Sequence, residues 1–181
     1  MLLSLENGIR AFCAKFMKDP GEAWLRWGRQ ARSVSQGLDY IERAAKLDVA
    51  EAHFELGLYF EGGGYGESLK GKALDHYRSA AGKGHAEAIY RMGEMLCGGV
   101  GITKDPEAGR TAYRRAAEMG WRTAAEWLAG ALERGEGMDV DVEMADFWRR
   151  RAEKMNSHPP SRSALLLAHP ASTSQFGSQS H

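Results

Sequence analysis

The chain has 181 residues, in which Lys plus Arg and Asp plus Glu number 24 each. With no net charge there is no global field to draw nucleic acid or an anionic membrane, so neither is expected as a partner. The two cysteines, Cys13 and Cys97, stand far apart without CxxC or Cys/His ligand spacing, so no disulfide framework, metal site or cofactor is implied.

The N-terminus reads MLLSLENGIRAF, where Glu6 and Asn7 break the apolar run that a secretory signal needs. No apolar stretch approaches the roughly 20 residues of a membrane span. The expectation is a cytoplasmic protein. Within residues 1–19, Leu5, Ile9, Phe12, Phe16 and Met17 form a helical stripe with Cys13 beside it. That stripe predicts an amphipathic capping helix that docks on whatever follows. Asp19-Pro20-Gly21-Glu22 then starts a new helix, with Asp19 as cap, Pro20 at the first helical position and Glu22 as the capping-box acid.

From here a beat of 36 residues takes over. Tyr77 and Tyr113 lie 36 apart, as do Gly57 and Gly93, Ala52 and Ala88, Ala80 and Ala116, and Gly84 and Gly120. A third copy keeps time with Ala124, Leu128, Gly135, Asp141, Ala145 and Ala152. A period of about 20 to 50 residues marks stacked supersecondary units, each contacting only its neighbours. The units fall at 50–85, 86–121 and 122–155, preceded by a degenerate copy at 22–49 whose first helix is joined by a shortened connection. Each first helix carries one apolar face: Ala52, Leu56, Tyr59 and Phe60; Ala88, Met92, Met95 and Leu96; Ala124, Leu128, Ala131 and Leu132. Asp105-Pro106 and Asp141 read as caps of second helices, not as catalytic acids.

The last copy replaces the tyrosine by Arg149 and an alanine by Glu153, the polar residues that a final, uncovered repeat needs. The array is therefore expected over 20–155, ending near Met155. Residues 156–181, rich in Ser, Pro, His and Gln, are expected to be a disordered tail, with Ala164 to Ala168 its one apolar stretch.

Ala86-x-Ala88, Met92-Gly93, Leu96, Gly99-x-Gly101-Ile102, Asp105, Gly109, Tyr113, Ala116-Ala117 and Gly120 together resemble the Sel-one-like repeat, a subclass of the tetratricopeptide type. The resemblance covers about 50–155 and implies an all-α, right-handed superhelical solenoid of antiparallel helix pairs, with first helices along the inner wall. Two departures stand out. Tyr65 and Leu69 replace a loop glycine and the acid in the first clear repeat, and Ala129 replaces the helix glycine in the last.

Several motifs resemble chemical sites but fit the repeat better. Gly66 to Lys72 spells GxxxxGK, the start of a phosphate loop, but Ala73 follows where Ser or Thr would hold magnesium, and a helix precedes it where a strand belongs. An over-long turn between helices is the simpler reading. His53 and His85 have no partner at metal-ligand spacing, and His85 sits where the next helix starts.

Glu55, Arg91 and Trp127 occupy one register position on successive first helices, off the apolar stripe, with Glu94 and Glu133 nearby. By the resemblance that row is expected to face solvent on the inner wall, and Trp and Arg are the residues most often found as interface anchors. The leading expectation is a non-enzymatic scaffold or adaptor that binds a protein or peptide partner through this row. A component of a secretion, envelope or toxin-immunity system acting through the same surface is the alternative. So is a hydrolase or nucleotide-binding protein using the Gly62–Lys72 loop.

Overall fold

In the computed structural model, the structure describes residues 8, 10, 11, 15, 17–62, 69–99 and 102–155. The helices run in chain order as α1 (Pro20–Arg29), α2 (Val34–Lys46), α3 (Ala50–Gly62), α4 (Lys70–Gly82), α5 (Ala86–Gly98), α6 (Pro106–Glu118), α7 (Arg122–Arg134) and α8 (Val142–Lys154). No strand occurs among the described residues. Contacts are densest within α1–α2, α3–α4, α5–α6 and α7–α8, and thinner where one pair meets the next. This is a solenoid of antiparallel helix pairs.

Local chemistry sets the helix starts. The Asp19, Asp105 and Asp141 carboxylates accept the Glu22, Ala108 and Met144 backbone N–H groups at 3.1, 3.0 and 2.9 Å, and Ser33 does the same for Gln36 at 3.3 Å. Each such cap is worth about 1 kcal/mol. Pro20 and Pro106 occupy the first helical position, where the missing N–H costs nothing. His85 caps α5, its Nδ1 accepting the Ala88 N–H at 3.1 Å, so this histidine starts a helix as its place in the repeat implied.

The core is an alternation of small and large groups. Ala80, Ala116 and Ala152 of the second helices are buried, as are Ala52, Ala88 and Ala124 of the first helices. Tyr77 and Tyr113 fill the space between, each against a glycine of the preceding helix. At Gly57 a methyl group would overlap the Tyr77 ring, and at Gly93 it would lie 3.0 Å from Tyr113 Cε1 and 3.1 Å from the Gly109 carbonyl. The degenerate first copy uses the same device with a smaller partner, since a Cβ on Gly28 would come within 2.6 Å of Ile41 Cγ1. Matching Gly28 to Gly57 shows that the connection of this copy is seven residues short of the full period.

Arg149 and Glu153 are exposed on α8, where the equivalent Tyr113 and Ala117 are buried. The expected capping helix falls mostly outside the described residues. Within it Gly8, Arg10, Ala11 and Lys15 are helical, and the Arg10 guanidinium lies 5.6 and 5.1 Å from the Trp27 and Tyr40 ring centroids. The expected tail, 156–181, lies wholly outside them.

Candidate protein-binding surface

The row of Glu55, Arg91 and Trp127 does occupy equivalent turns of α3, α5 and α7, but the three side chains have different fates. Glu55 was expected to face solvent and does not: its side chain is 2% exposed, and its Oε1 accepts from Arg29 Nε at 2.5 Å. The cause is the degenerate first copy, whose short α1 ends with Arg29 beside α3. The same guanidinium reaches Glu51 at 2.6 Å, and His85 Nε2 meets the other Glu51 oxygen at 2.8 Å. Arg29, Glu51, Glu55 and His85 thus form a polar relay across α1, α3 and the start of α5. Mainly through the His85 hydrogen bond, and against the cost of burial, the Glu51 carboxyl is held below its usual range.

Arg91 is half-buried and under-used. Its Nη1 lies 3.4 Å from Glu94, a long contact, and its buried Nε has no hydrogen-bond partner. Burial works against its charge, but the Glu61 and Glu94 carboxylates more than offset that and raise its pKa. Glu94 also accepts from the Tyr90 hydroxyl at 3.0 Å, and Tyr77 donates to Glu61 at 2.5 Å. Burial first, then Glu94, pushes the Tyr90 hydroxyl up to about 12. Glu61, Lys70, Arg91, Glu94, Met95 and Gly98 line an open groove of about 370 Å³.

Trp127 is half-buried and belongs to an aromatic run. Its ring centroid is 4.1 Å from that of Tyr113, which is 5.4 Å from Tyr90, and Tyr90 is 6.3 Å from Trp121. Rings at these separations gain about 0.5–1.5 kcal/mol per pair beyond area burial. Glu133, at the far end, is exposed and paired with Arg149, which also reaches Asp146 at 2.6 Å. Of the five expected residues, therefore, Arg91 and Glu94 adjoin Tyr90, and Trp127 is linked to it through the Tyr113 ring. Glu55 and Glu133 are held in ion pairs at opposite ends. Tyr90, Glu61 and Lys70 were missed. Tyr90 four residues before Glu94 on one helix was the available signal, since that spacing brings side chains together.

The phosphate-loop look-alike lies partly outside the described residues, but its end is clear. Lys70 opens α4, and the Lys72 ammonium lies 5.8 Å from the Phe60 ring centroid. Helix α3 precedes it, as the sequence suggested. Cys97 is half-buried against α6, and burial pushes its thiol up. Among the described residues no helix is long and apolar enough to cross a membrane, and no three His, Cys, Asp or Glu groups converge on a metal position.

Comparison with known proteins matches this architecture. Chitin synthase regulatory factor 3 of Schizosaccharomyces pombe is 32% identical over 127 residues, which is 66% of this chain but 13% of that protein. The chain thus spans only a small part of that relative. Among solved structures, a protective antigen present in uropathogenic Escherichia coli strains, displaying an SLR fold, superposes with a TM-score of 0.69 at 26% identity. That superposition covers 76% of this chain and 31% of the antigen. A Sel1 repeat protein from Oxalobacter formigenes gives the same TM-score at 23% identity, over 76% of this chain and 60% of that one, and so speaks for the fold alone. The Sel1 repeat matches at residues 50–85, 86–121 and 123–157, more than half of the chain. With helix pairs in that register and a tyrosine seated on glycine in the two middle units, the chain belongs to the Sel1 repeat family.

Proposed function

We propose that this protein is a non-enzymatic scaffold that holds a partner protein or peptide along its first helices, centred on Arg91, Glu94 and Trp127. The observation that carries the reading is two features joined through Glu94, which pairs with Arg91 and accepts from Tyr90. One is an arginine with unused hydrogen-bonding capacity in an open groove, and the other is a half-buried aromatic run. Arg and Trp at such positions supply most of the binding energy in known interfaces. A row whose residues change from repeat to repeat, while the core positions repeat, is where a solenoid can encode a particular partner. Glu55 contributes as a support, fixing α3 through Arg29. The relative named as a regulatory factor agrees with action through another protein.

The test is site-specific photo-crosslinking of the full chain in its host. A crosslinker at Arg91 or Trp127 is expected to give one discrete adduct. The same group at Asp75 or Thr111, on the exposed faces of second helices, is expected to give none. Adducts that form equally at the second-helix sites, or only there, overturn the reading. A second reading, a cell-envelope component using the same surface, draws on the likeness to the protective antigen. Fractionation of the host, with the chain found at the envelope, would favour it.

A further inference from the structure

The second repeat departs from the others at one pair of core positions. His53 on α3 and His76 on α4 face each other with their Nδ1 atoms 3.1 Å apart, their rings tilted by 36° and 5.4 Å between centroids. Moving each forward by 36 residues gives Ile89 and Ala112, and again gives Ala125 and Trp148. All four are buried in one apolar cluster. Moving back, by 29 residues on the first helix (Gly57 to Gly28) and by the full 36 on the second, gives Trp24 and Tyr40, whose rings pack 5.4 Å apart in the core. Every other repeat fills this joint with apolar or aromatic contact. The fold does not require histidine here.

A hydrogen bond between two imidazoles needs one N–H and one lone pair. A neutral pair supplies both. One added proton can sit on an outward nitrogen and leave the bond intact. A second proton places N–H on both facing nitrogens, and the bond must break. The surroundings allow little compensation. On the side of α2, His53 meets the Ala45 carbonyl and, 3.9 Å from its Nε2, the exposed Asp48 carboxylate, which is already paired with Lys83 beyond α4. His76 is stacked at 8° on Phe60 of α3, with Asp75 and Lys72 on its own helix. Burial lowers both histidines below their ordinary range, and at His76 the neighbouring His53 adds to that. Asp48 and Asp75 pull the other way; Lys83 and Lys72 work with the burial.

We propose that the His53–His76 pair is an acid-sensitive latch between α3 and α4, closed while at least one ring is neutral and opened when both take a proton. Opening loosens the second repeat selectively, because the later joints, built from Ile89 with Ala112 and Ala125 with Trp148, carry no titratable group. The latch belongs to the fold and stands independently of the partner reading. The direction of the pH effect follows from the depressed values. Near neutrality neither state holds the protons, and the bond contributes fully. Below the ordinary histidine pKa of about 6.5 the unfolded chain takes up protons that the folded pair refuses, so stability falls with pH. Each refused proton lowers the folding equilibrium constant about tenfold per pH unit in that range.

The experiment uses the full chain. Ring-proton NMR follows His53 and His76 from about pH 7.5 to 5, spanning the ordinary histidine range. Urea unfolding is measured over the same range for the wild type and for two variants that import the joints of the later repeats, H53I/H76A and H53A/H76W. The expected results are coupled, acid-shifted titration of the two rings and a wild-type folding constant that falls at least about tenfold more per pH unit than in the variants. Hydrogen exchange should quicken in α3 and α4 before α5 to α8. Two rings that titrate independently at ordinary values, or variants with the wild-type pH dependence, overturn the proposal. If neither variant folds, the wild-type titration alone decides.

Discussion

The two middle repeats and the last one solve the same packing problem in opposite ways. In the middle, Gly57 and Gly93 leave bare helix backbone against which the Tyr77 and Tyr113 rings lie, and both rings are buried. In the last repeat the ring is gone. Arg149 stands in its place, exposed and paired with Glu133 and Asp146, and the helix glycine has become Ala129, itself buried. The glycine is therefore not a property of the helix. It belongs to the ring, and the Tyr113 ring packs in turn on Trp127 of the following unit. Glycine in a helix interior costs about 0.5–1 kcal/mol relative to alanine, a cost worth bearing only where a side chain fills the space it leaves.

The largest effect should come from removing a ring. Tyr113→Ala deletes a side chain that contacts Gly93 and stacks with Tyr90 and Trp127, in a site 4% exposed. Loss of a large buried aromatic costs about 3–5 kcal/mol. Urea unfolding should show it, with a red shift of tryptophan emission in the folded state as Trp127 loses its cover. A loss below about 1 kcal/mol, within the range of an ordinary surface change, would mean that the ring does not organise this joint.

Filling the glycine should cost less. In Gly57→Ala the new methyl overlaps Tyr77, which is fully buried and has no space to swing into. Overpacking of this kind costs about 1–3 kcal/mol, against a gain in helix propensity of about 1. The net expectation is a loss of up to about 2 kcal/mol, read as a lowered unfolding midpoint. The same change at Gly93 meets a looser contact, at 3.0 Å, and should be milder. Equal losses at the two sites would break the link between glycine and ring.

Much of this was legible in the sequence because it is periodic. The 36-residue spacing placed the helix pairs, and Asp19, Asp105, Asp141 and His85 marked helix starts through local hydrogen bonds that need no tertiary context. Arg149 and Glu153 are exposed, as their break with the periodic core pattern implied. The site was less legible, because its chemistry depends on what crosses between repeats. Glu55 read as a free surface acid until the shortened first connection brought Arg29 to it, a contact that register alone does not reveal. His53 had no partner at ligand spacing in the sequence; its partner lies 23 positions on, on the antiparallel helix. Arg91 and Trp127 were found as positions that break the core pattern, but the role of Tyr90 in joining them depends on side-chain geometry.

The smallest effect tests the comparison from the other side. Ala129→Gly restores the family residue to the last repeat, yet it should destabilise. With Arg149 outside and no ring to occupy the space, the lost methyl leaves a gap in a core position 3% exposed, and the helix gains backbone freedom in the unfolded state. About 1 kcal/mol is expected from helix propensity and the buried methyl together. A neutral or stabilising result would mean that glycine is wanted here for its own sake, and the pairing of glycine with tyrosine would lose its explanation. The expected pattern is that Gly→Ala harms the second repeat and Ala→Gly harms the fourth. Helix propensity alone predicts a gain for Gly57→Ala and a loss for Ala129→Gly, so a loss at Gly57 can come only from the ring that faces it, and a loss at Ala129 is the behaviour of a helix position with no ring to seat.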